Sequence, residues 1–316
     1  MTTAQPLKAP FPYFGGKSWI ARDVWQRFGR VRNYVEPFFG SGAMLLGRPD
    51  ETLTHNPIET VNDADGLVAN FWRAIQHDPE RVARHADWPV NETDLHARHV
   101  WLVGRKDEIA RRCEADPEFY DAKVAGWWVW GMSCWIGSGF CSGNGPWRIV
   151  DGELVDVRQL PHLGDAGRGL VEQFEILAAR LSRVRVCSGD WSRVMGPSVT
   201  HKHGLTAVFL DPPYSTEAGR ADLYRVEDFE VAHAVREWAI REGDNPLMRI
   251  ALCGYEAEHA MPDGWECLEW SARGGFASQA RVENTNRHNE RVWFSPHCLG
   301  AAQPTLFHGL ATEATP

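Results

Sequence analysis

The sequence predicts an α/β protein, a doubly wound mixed sheet with a mainly helical region inserted into it. Three observations carry this expectation. Short apolar runs recur along the chain, and each stops at a glycine, an acid or a proline: NYVEPFFGSG (33–42), TAVFLDPPY (206–214), MRIALCGY (248–255) and ERVWFSP (290–296). Segments with apolar residues at helical spacing lie between several of these runs. The pattern loosens only between about His77 and about Gly169. Strands alternating with helices imply a mostly parallel sheet covered on both faces, with sites collecting at the carboxyl ends of the strands.

Taken in order, residues up to about Pro10 read as a lead-in. NYVEPFFGSG reads as a buried strand entering a glycine turn, and ETVNDAD (59–65) as a second strand end. Asp65 is a plausible N-cap, because Leu67, Val68, Phe71, Trp72 and Ile75 then fall on one helix face. Charged helical pieces such as 103–112 follow, then a segment rich in tryptophan and glycine, then turn-rich sequence with DGELVD and LPHLGDAGRG. LVEQFEILAARL (170–181) is an amphipathic helix with Leu170, Phe174, Leu177 and Leu181 inward. Strands are expected at RVRVCSGDW and at the three later apolar runs, with a helix at VAHAVREWAI (231–240). Beyond about Leu299 the tail reads as loose. No repeat or low-complexity tract occurs.

Composition excludes several classes. The chain has 316 residues, 43% hydrophobic and 24% charged, which is ordinary for a soluble enzyme. No apolar run reaches the roughly 18 residues of a membrane span, and the opening lacks a secretory signal pattern. The seven cysteines (113, 134, 141, 187, 253, 267, 298) form no C-x-x-C pair, so neither a disulfide framework nor a zinc ribbon is expected, and the reducing cytoplasm is the simplest compartment. His201 and His203 flank Lys202 and read as solvated side chains rather than metal ligands. The net charge of -9 argues against a general nucleic-acid coat but leaves room for a local groove. Two modest positive islands exist. One is the acid-free stretch from Lys123 to Arg148; the other holds Arg273, Arg281, Arg287 and Arg291 against Glu283 and Glu290.

The stretch KVAGWWVWGMSCWIGSGFCSGNGPWR (123–148) holds five of the 15 tryptophans and six glycines. It could be core, a membrane element or a stacking surface, and its glycines and polar residues argue against membrane. Trp127, Trp128 and Trp130 stand too close together to share one helix face, so some belong in a core. The Gly137–Gly145 piece suits a hairpin or loop entering a nucleic acid, with Trp135, Trp147 and Arg148 near its base and Ser138 and Asn144 within it. Stacking there would be worth about 1–3 kcal/mol per base.

Four constellations carry chemistry. Asp211-Pro212-Pro213-Tyr214 follows the apolar strand 207–210. Two prolines cannot continue a sheet ladder and leave rigidly aimed carbonyls. A planar amino group would find two acceptors there, the Asp211 carboxylate and the Pro212 carbonyl, with the Tyr214 ring for stacking. The plainer alternative is a rigid turn with a capping Asp. Glu36-Pro37-Phe38-Phe39-Gly40-Ser41-Gly42 allows close approach of a ligand, although it is not the G-x-G-x-x-G dinucleotide fingerprint. Asp63 stands at the next strand end, where an acid can take a ribose diol. Asp190-Trp191, at a third strand end, pairs an acceptor with a flat ring suited to adenine. Finally, Pro12-Tyr13-Phe14-Gly15-Gly16-Lys17 offers an aromatic face and an ammonium that can sit beside a carboxylate or phosphate.

PYFGGK, YVEPFFGSGA, NDAD, GDW and DPPY, in this order, resemble the Dam-like, alpha-group class of DNA adenine-N6 methyltransferases, over most of residues 10–296. The resemblance implies a Rossmann-like methyltransferase sheet and S-adenosylmethionine as cofactor. It implies that Tyr13, Lys17, Glu36, Phe38, Gly40, Gly42, Asp63, Asp190, Trp191 and Asp211 line the cofactor site. Asp211, Pro212, Pro213 and Tyr214 would then be catalytic. Residues 1–76 and 170–300 would form the catalytic domain, 77–169 an inserted target-recognition domain and 301–316 a tail. Double-stranded DNA would be the partner of a monomer needing no metal, in a bacterial or phage-infected cell, with a restriction-modification role among the options. Lys123, Trp135, Ser138, Asn144, Trp147, Arg148 and Arg273 would be candidate DNA contacts. The 77–169 segment departs most from the family, so no target sequence carries over.

The expected chemistry is direct transfer of a methyl to an amino nitrogen of a flipped base, achieved by positioning and electrostatics. No Pro-Cys dipeptide occurs, which leaves the cysteine-nucleophile route to cytosine C5 without a candidate. Cytosine-N4 or RNA methylation is the alternative within the class. A catalytically silent nucleic-acid-binding homologue is the alternative outside it, and a nicotinamide dehydrogenase fits less well.

Overall fold

The computed structural model describes residues 7–13, 17–135, 140–141, 149–150, 153–154, 169–213, 226–256, 258–270 and 290–300. Its centre is a seven-stranded mixed sheet. The strands are β1 (Asn33–Glu36), β2 (Ile58–Asp63), β3 (Val184–Ser188), β4 (Thr206–Leu210), β5 (Met248–Tyr255), β6 (Glu266–Trp270) and β7 (Glu290–Phe294). Their spatial order is β3-β2-β1-β4-β5-β7-β6. The first five run parallel, in the 3-2-1-4-5 order of a doubly wound Rossmann-like sheet. β7 is antiparallel to both neighbours and lies between β5 and β6.

The central strands are buried on both faces, and β4 (TAVFL) accordingly reads as a nearly unbroken apolar run. Tyr34, Ala207, Phe209, Ala251, Cys253, Val292 and Phe294 point to one side. Val35, Val208, Leu210, Ile250 and Leu252 point to the other, against Val235, Trp238 and Ala239 of a helix at Val226–Gly243. The strand preceding Asp211 stops at Leu210, where the apolar run 207–210 ends in the sequence, and the prolines at 212 and 213 have no N–H to donate to a further ladder. The edge strand β6 escaped notice in the sequence. Its exposed Glu266 and Glu269 interrupt any apolar signal, as suits an edge.

The first side of the sheet carries most of the helices. They are α1 (Ala21–Phe28), α2 (Ala43–Leu46), α3 (Gly66–His77), α4 (Pro79–Ala86), α5 (Glu92–Val103), α6 (Lys106–Ala115), α7 (Ala122–Cys134) and α8 (Leu170–Leu181). Asp65 caps α3 by accepting from the Leu67 N–H at 2.9 Å, and Leu67, Val68, Phe71, Trp72 and Ile75 are all buried. The tryptophan-rich stretch begins as α7, capped by Asp121, whose carboxylate accepts from the Lys123 and Val124 N–H groups. Trp128 and Trp130 are buried; Trp127 is half-buried and packs edge-on against Trp101. Helices α4 to α7 share one continuous apolar core with α3, α8 and the sheet. A short antiparallel pair, Ile149–Val150 with Glu153–Leu154, also falls within the segment 77–169. Among the described residues, no helix is long and apolar enough to cross a membrane.

Close helix packing depends on two glycines. A Cβ at Gly126 would lie 2.7 Å from the Val82 carbonyl oxygen and 3.0 Å from the Ala86 nitrogen. Gly66 meets Ala110 in the same way, at 2.6 Å. Backbone cannot yield cheaply, so Gly126→Ala is expected to cost about 1–3 kcal/mol through overpacking. A lowered urea midpoint with an unchanged m-value would record it; an unchanged midpoint would mean that α4 and α7 do not pack this closely.

Candidate active site

Five parallel strands deliver their carboxyl ends to one edge, and the sequence places an acid at four of them. Asp190, Asp63, Glu36 and Asp211 follow or end β3, β2, β1 and β4, in that spatial order. The antiparallel β7 brings its first residue, Glu290, to the same edge opposite Tyr255 of β5.

Lys17 is buried at this edge, 4% exposed, on a 3₁₀ turn (Lys17–Trp19). Its Nζ lies 3.2 Å from Asp211 Oδ1 and 3.7 Å from Glu290 Oε2, and 5.6 Å from the centre of the Trp270 ring. Burial alone would lower the pKa of this ammonium, but Asp211, Cys253 and Glu290 outweigh it and hold Lys17 above the ordinary lysine value. The amino-terminal and DPPY motifs thus meet in one ion pair. One ammonium is thus shared by two carboxylates. Cys253, buried behind them, has its thiol pushed well above the ordinary value by burial and then by Asp211.

Glu36 behaves differently. Burial raises its pKa well above the carboxylate range, and Asp211 and Asp63 add to this against the opposing hydrogen bond from Tyr34 Oη, 2.8 Å away. Burial at this position thus favours the protonated form of Glu36.

The turn after β1 is shaped by positive φ. Gly40 has φ 46° and Gly42 φ 68°. A Cβ at Gly40 would strike the Tyr13 ring at 2.6 Å, so the glycine lets Tyr13 lie flat against the loop. Trp72 Nε1 donates to the Gly40 carbonyl at 2.9 Å. Asp63 closes the turn from the other side: Oδ2 accepts from the Gly40 N–H at 2.9 Å and Oδ1 from the Asp65 N–H at 2.8 Å. Burial and then the Asp65 charge push the Asp63 carboxyl up to about 7.

Phe38 and Trp191 face each other with ring centroids 6.3 Å apart and planes inclined by 27°. Exposed Asp190 caps the turn at Trp191–Val194, accepting from the Ser192 N–H at 2.9 Å and from its hydroxyl. Tyr13, Lys17, Glu36, Phe38, Gly40, Gly42, Asp63, Asp190, Trp191 and Asp211 are thus all on or beside one edge of the sheet. Pro212 and Pro213 follow Asp211 there, while Tyr214 lies outside the described residues.

The expected DNA contacts fare differently. Ser138, Asn144, Trp147, Arg148 and Arg273 lie outside the described residues. Trp135 is buried, stacked on His99 at 4.7 Å and edge-on to Phe140 at 5.0 Å, so its ring faces protein. Lys123 sits over the rings of Trp127 (4.3 Å) and Trp101 (5.1 Å). Buried Arg98 packs against Trp130, Trp127 and Trp88 at 4.3 to 5.1 Å. Several indoles of this region therefore hold cations within the helical layer, each contact worth about 0.5–2 kcal/mol.

Sequence reasoning missed Asn62, Glu290 and Lys106. Asn62 is 1% exposed, and its Nδ2 donates to the carbonyls of Pro37 (3.1 Å) and Gly189 (2.9 Å), fastening the turns after β1 and β3 to β2. A polar residue inside an apolar strand was the available signal. Lys106 Nζ lies 2.8 Å from Asp65 Oδ2. Among the described residues, no group of His, Cys, Asp and Glu is arranged to hold a metal ion.

Comparison with protein-family models and with curated proteins finds no match.

Two outcomes test this geometry. Lys17→Met leaves two carboxylates without their shared cation and should destabilise the fold by about 3 kcal/mol in urea titrations, as for other buried pairs losing one partner. An unchanged midpoint would show that the pair is not buried in solution. The folded state also holds a proton on Asp63 that the unfolded chain releases near pH 4, so Asp63 makes stability fall as pH rises from about 4 to about 7. Asp63→Asn should flatten that fall, measured as urea midpoints across the same window.

Proposed function

We propose that the chain transfers a methyl group from S-adenosylmethionine to the N6 amino group of adenine in DNA. The observation that carries this reading is the Lys17–Asp211 pair at 3.2 Å. It joins the two most specific motifs of the Dam-like resemblance at the carboxyl edge of the sheet. A rigid turn with a capping Asp would not need a buried lysine brought from the other end of the sequence.

The residues at this edge fit the cofactor by their chemistry. Asp63 has lone pairs beyond the two amides it accepts, which a ribose diol can use. The Phe38 and Trp191 rings suit a flat base. The Asp211 and Glu290 carboxylates at this edge suit a sulfonium. When bound, S-adenosylmethionine supplies an electrophilic methyl on that cationic sulfur.

The chain's own contribution is positioning. The Asp211 carboxylate and the Pro212 carbonyl accept the two N6 hydrogens of an unstacked adenine and turn the nitrogen lone pair outward. Lys17 fixes one oxygen of Asp211, which limits the orientations the carboxylate can adopt. Burial and the nearby Asp211 both favour the protonated form of Glu36, which limits the charge crowding Asp211. Preorganised acceptors of this kind act without reorganising during the reaction.

The test is incubation with labelled S-adenosylmethionine and unmethylated duplex DNA, then digestion and chromatography of the nucleosides. N6-methyladenine is expected. Asp211→Ala should lower the rate by at least about a hundredfold, the scale for losing a positioned polar group, while unfolding stays cooperative. Label found only in N4-methylcytosine, or only in RNA, would overturn the substrate assignment. Undiminished turnover in the variant would overturn the role of Asp211.

A further inference from the structure

We propose that Lys106 is a positioning residue of the nucleoside pocket, in which its ammonium holds Asp65 and Asp65 holds the Asp63 carboxylate ready to accept a ribose diol. This rests on the reading of the strand edge as an S-adenosylmethionine site. Lys106 itself belongs to α6, within the segment expected to recognise DNA, and nothing in the local sequence links it to the cofactor.

A continuous series of contacts makes the connection. Lys106 Nζ pairs with Asp65 Oδ2 at 2.8 Å, both groups being partly sheltered, with side chains 37% and 29% exposed. The other Asp65 oxygen caps α3 through the Leu67 N–H at 2.9 Å. The Asp65 backbone N–H donates to Asp63 Oδ1 at 2.8 Å, and Asp63 Oδ2 accepts from Gly40 at 2.9 Å. Lys106 and the Leu67 N–H hold the Asp65 carboxylate, and the backbone N–H of the same residue holds Asp63, so a shift of the Asp65 backbone moves Asp63 with it. The seat of Lys106 is equally fixed, since Gly66 at the start of α3 packs directly on Ala110, one turn beyond Lys106 in α6.

The charges around Asp63 give Lys106 a second effect. Asp65 follows it in the chain, Glu36 approaches from β1 and Lys106 from α6; Cys141, beyond α7, lies close to both Asp65 and Lys106. Burial and Asp65 favour the protonated Asp63 carboxyl, and Lys106 opposes them. Without Lys106, Asp63 stays protonated to higher pH and offers fewer acceptors at neutral pH. Affinity for a ribose diol rises with pH through the Asp63 titration, so removing Lys106 moves that rise upward.

The experiment compares the parent with Lys106→Met, Lys106→Arg and Asp63→Asn. Calorimetry measures S-adenosylhomocysteine affinity from pH 6 to 8.5. Carbon-13 NMR of labelled aspartate carboxyls follows the Asp63 titration, identified by its absence in Asp63→Asn. Lys106→Met should raise the Asp63 midpoint by about one pH unit and weaken binding at pH 7 by about fivefold, as the ionised fraction of Asp63 falls from about one half to about one tenth. Lys106→Arg should return both to within about threefold of the parent. If Lys106→Met does not fold, Lys106→Gln, which keeps a hydrogen-bond donor but no charge, takes its place with the same expected shift in midpoint. An Asp63 midpoint and an affinity that stay at parental values would overturn the proposal. A parent that binds no S-adenosyl compound at any pH would overturn the cofactor reading instead, while the midpoint without ligand still decides what Lys106 does to Asp63.

Discussion

A single buried ammonium fixes the geometry on which the site depends. Lys17 comes from before the first helix, Asp211 from the end of β4 and Glu290 from the start of β7, yet one nitrogen lies within 3.7 Å of both carboxylates. Removing such charges from water costs several kcal/mol each, and only close, mutual pairing offsets that cost. An apolar trio of similar size would pack at least as stably. It would not hold a carboxylate at the carboxyl edge of the sheet, directly ahead of two prolines. The ion pair is better understood as specifying an arrangement than as stabilising the fold.

Around this pair side chain to backbone bonds fasten the turns in addition to backbone bonds such as that from the Gly42 N–H to the Phe39 carbonyl at 2.8 Å. Asn62 reaches in both directions from β2, to the turn after β1 and the turn after β3. Asp63 ties the Gly40 turn, and Trp72 holds the carbonyl on its far side. Rigid strand ends with fixed turns suit a mechanism that relies on positioning. Glu36 is held in a similar way, accepting from the Tyr34 hydroxyl at 2.8 Å, while burial raises its pKa.

Much of this was legible in the sequence, and for definite reasons. Central parallel strands are buried on both faces, so 206–210 and most of 248–255 appear as apolar runs, and acids at the ends of β1 and β4 mark the site. The helix at 66–77 announced itself through its Asp65 cap and one-sided apolar pattern. Helix α7 did not. Val124, Ala125, Gly126, Trp128, Val129, Trp130 and Gly131 are all buried, so no polar face alternates with an apolar one, and its glycines read as hinges although Gly126 is a packing contact. Trp135 was expected at a DNA surface and instead packs on His99, because composition cannot say which way an indole points. The long-range partners were the least accessible: Glu290 meets Lys17 across almost the whole described chain, and Lys106 meets Asp65 across three intervening helices.

The place of β7 has a consequence for how the molecule comes into being. The seventh strand in sequence is not at the rim of the sheet; it is wedged between β5 and β6. While the ribosome is still making residues 290–294, β5 has an open flank and β6 has nothing to pair with. Lys17 then has only one of its two carboxylates. A nascent chain therefore carries an unpaired, apolar strand edge until nearly all of the sheet has been synthesised, a state prone to association with other chains. The same late strand that completes the sheet delivers Glu290 to the site, so closure of the fold and completion of the charged cluster are one event.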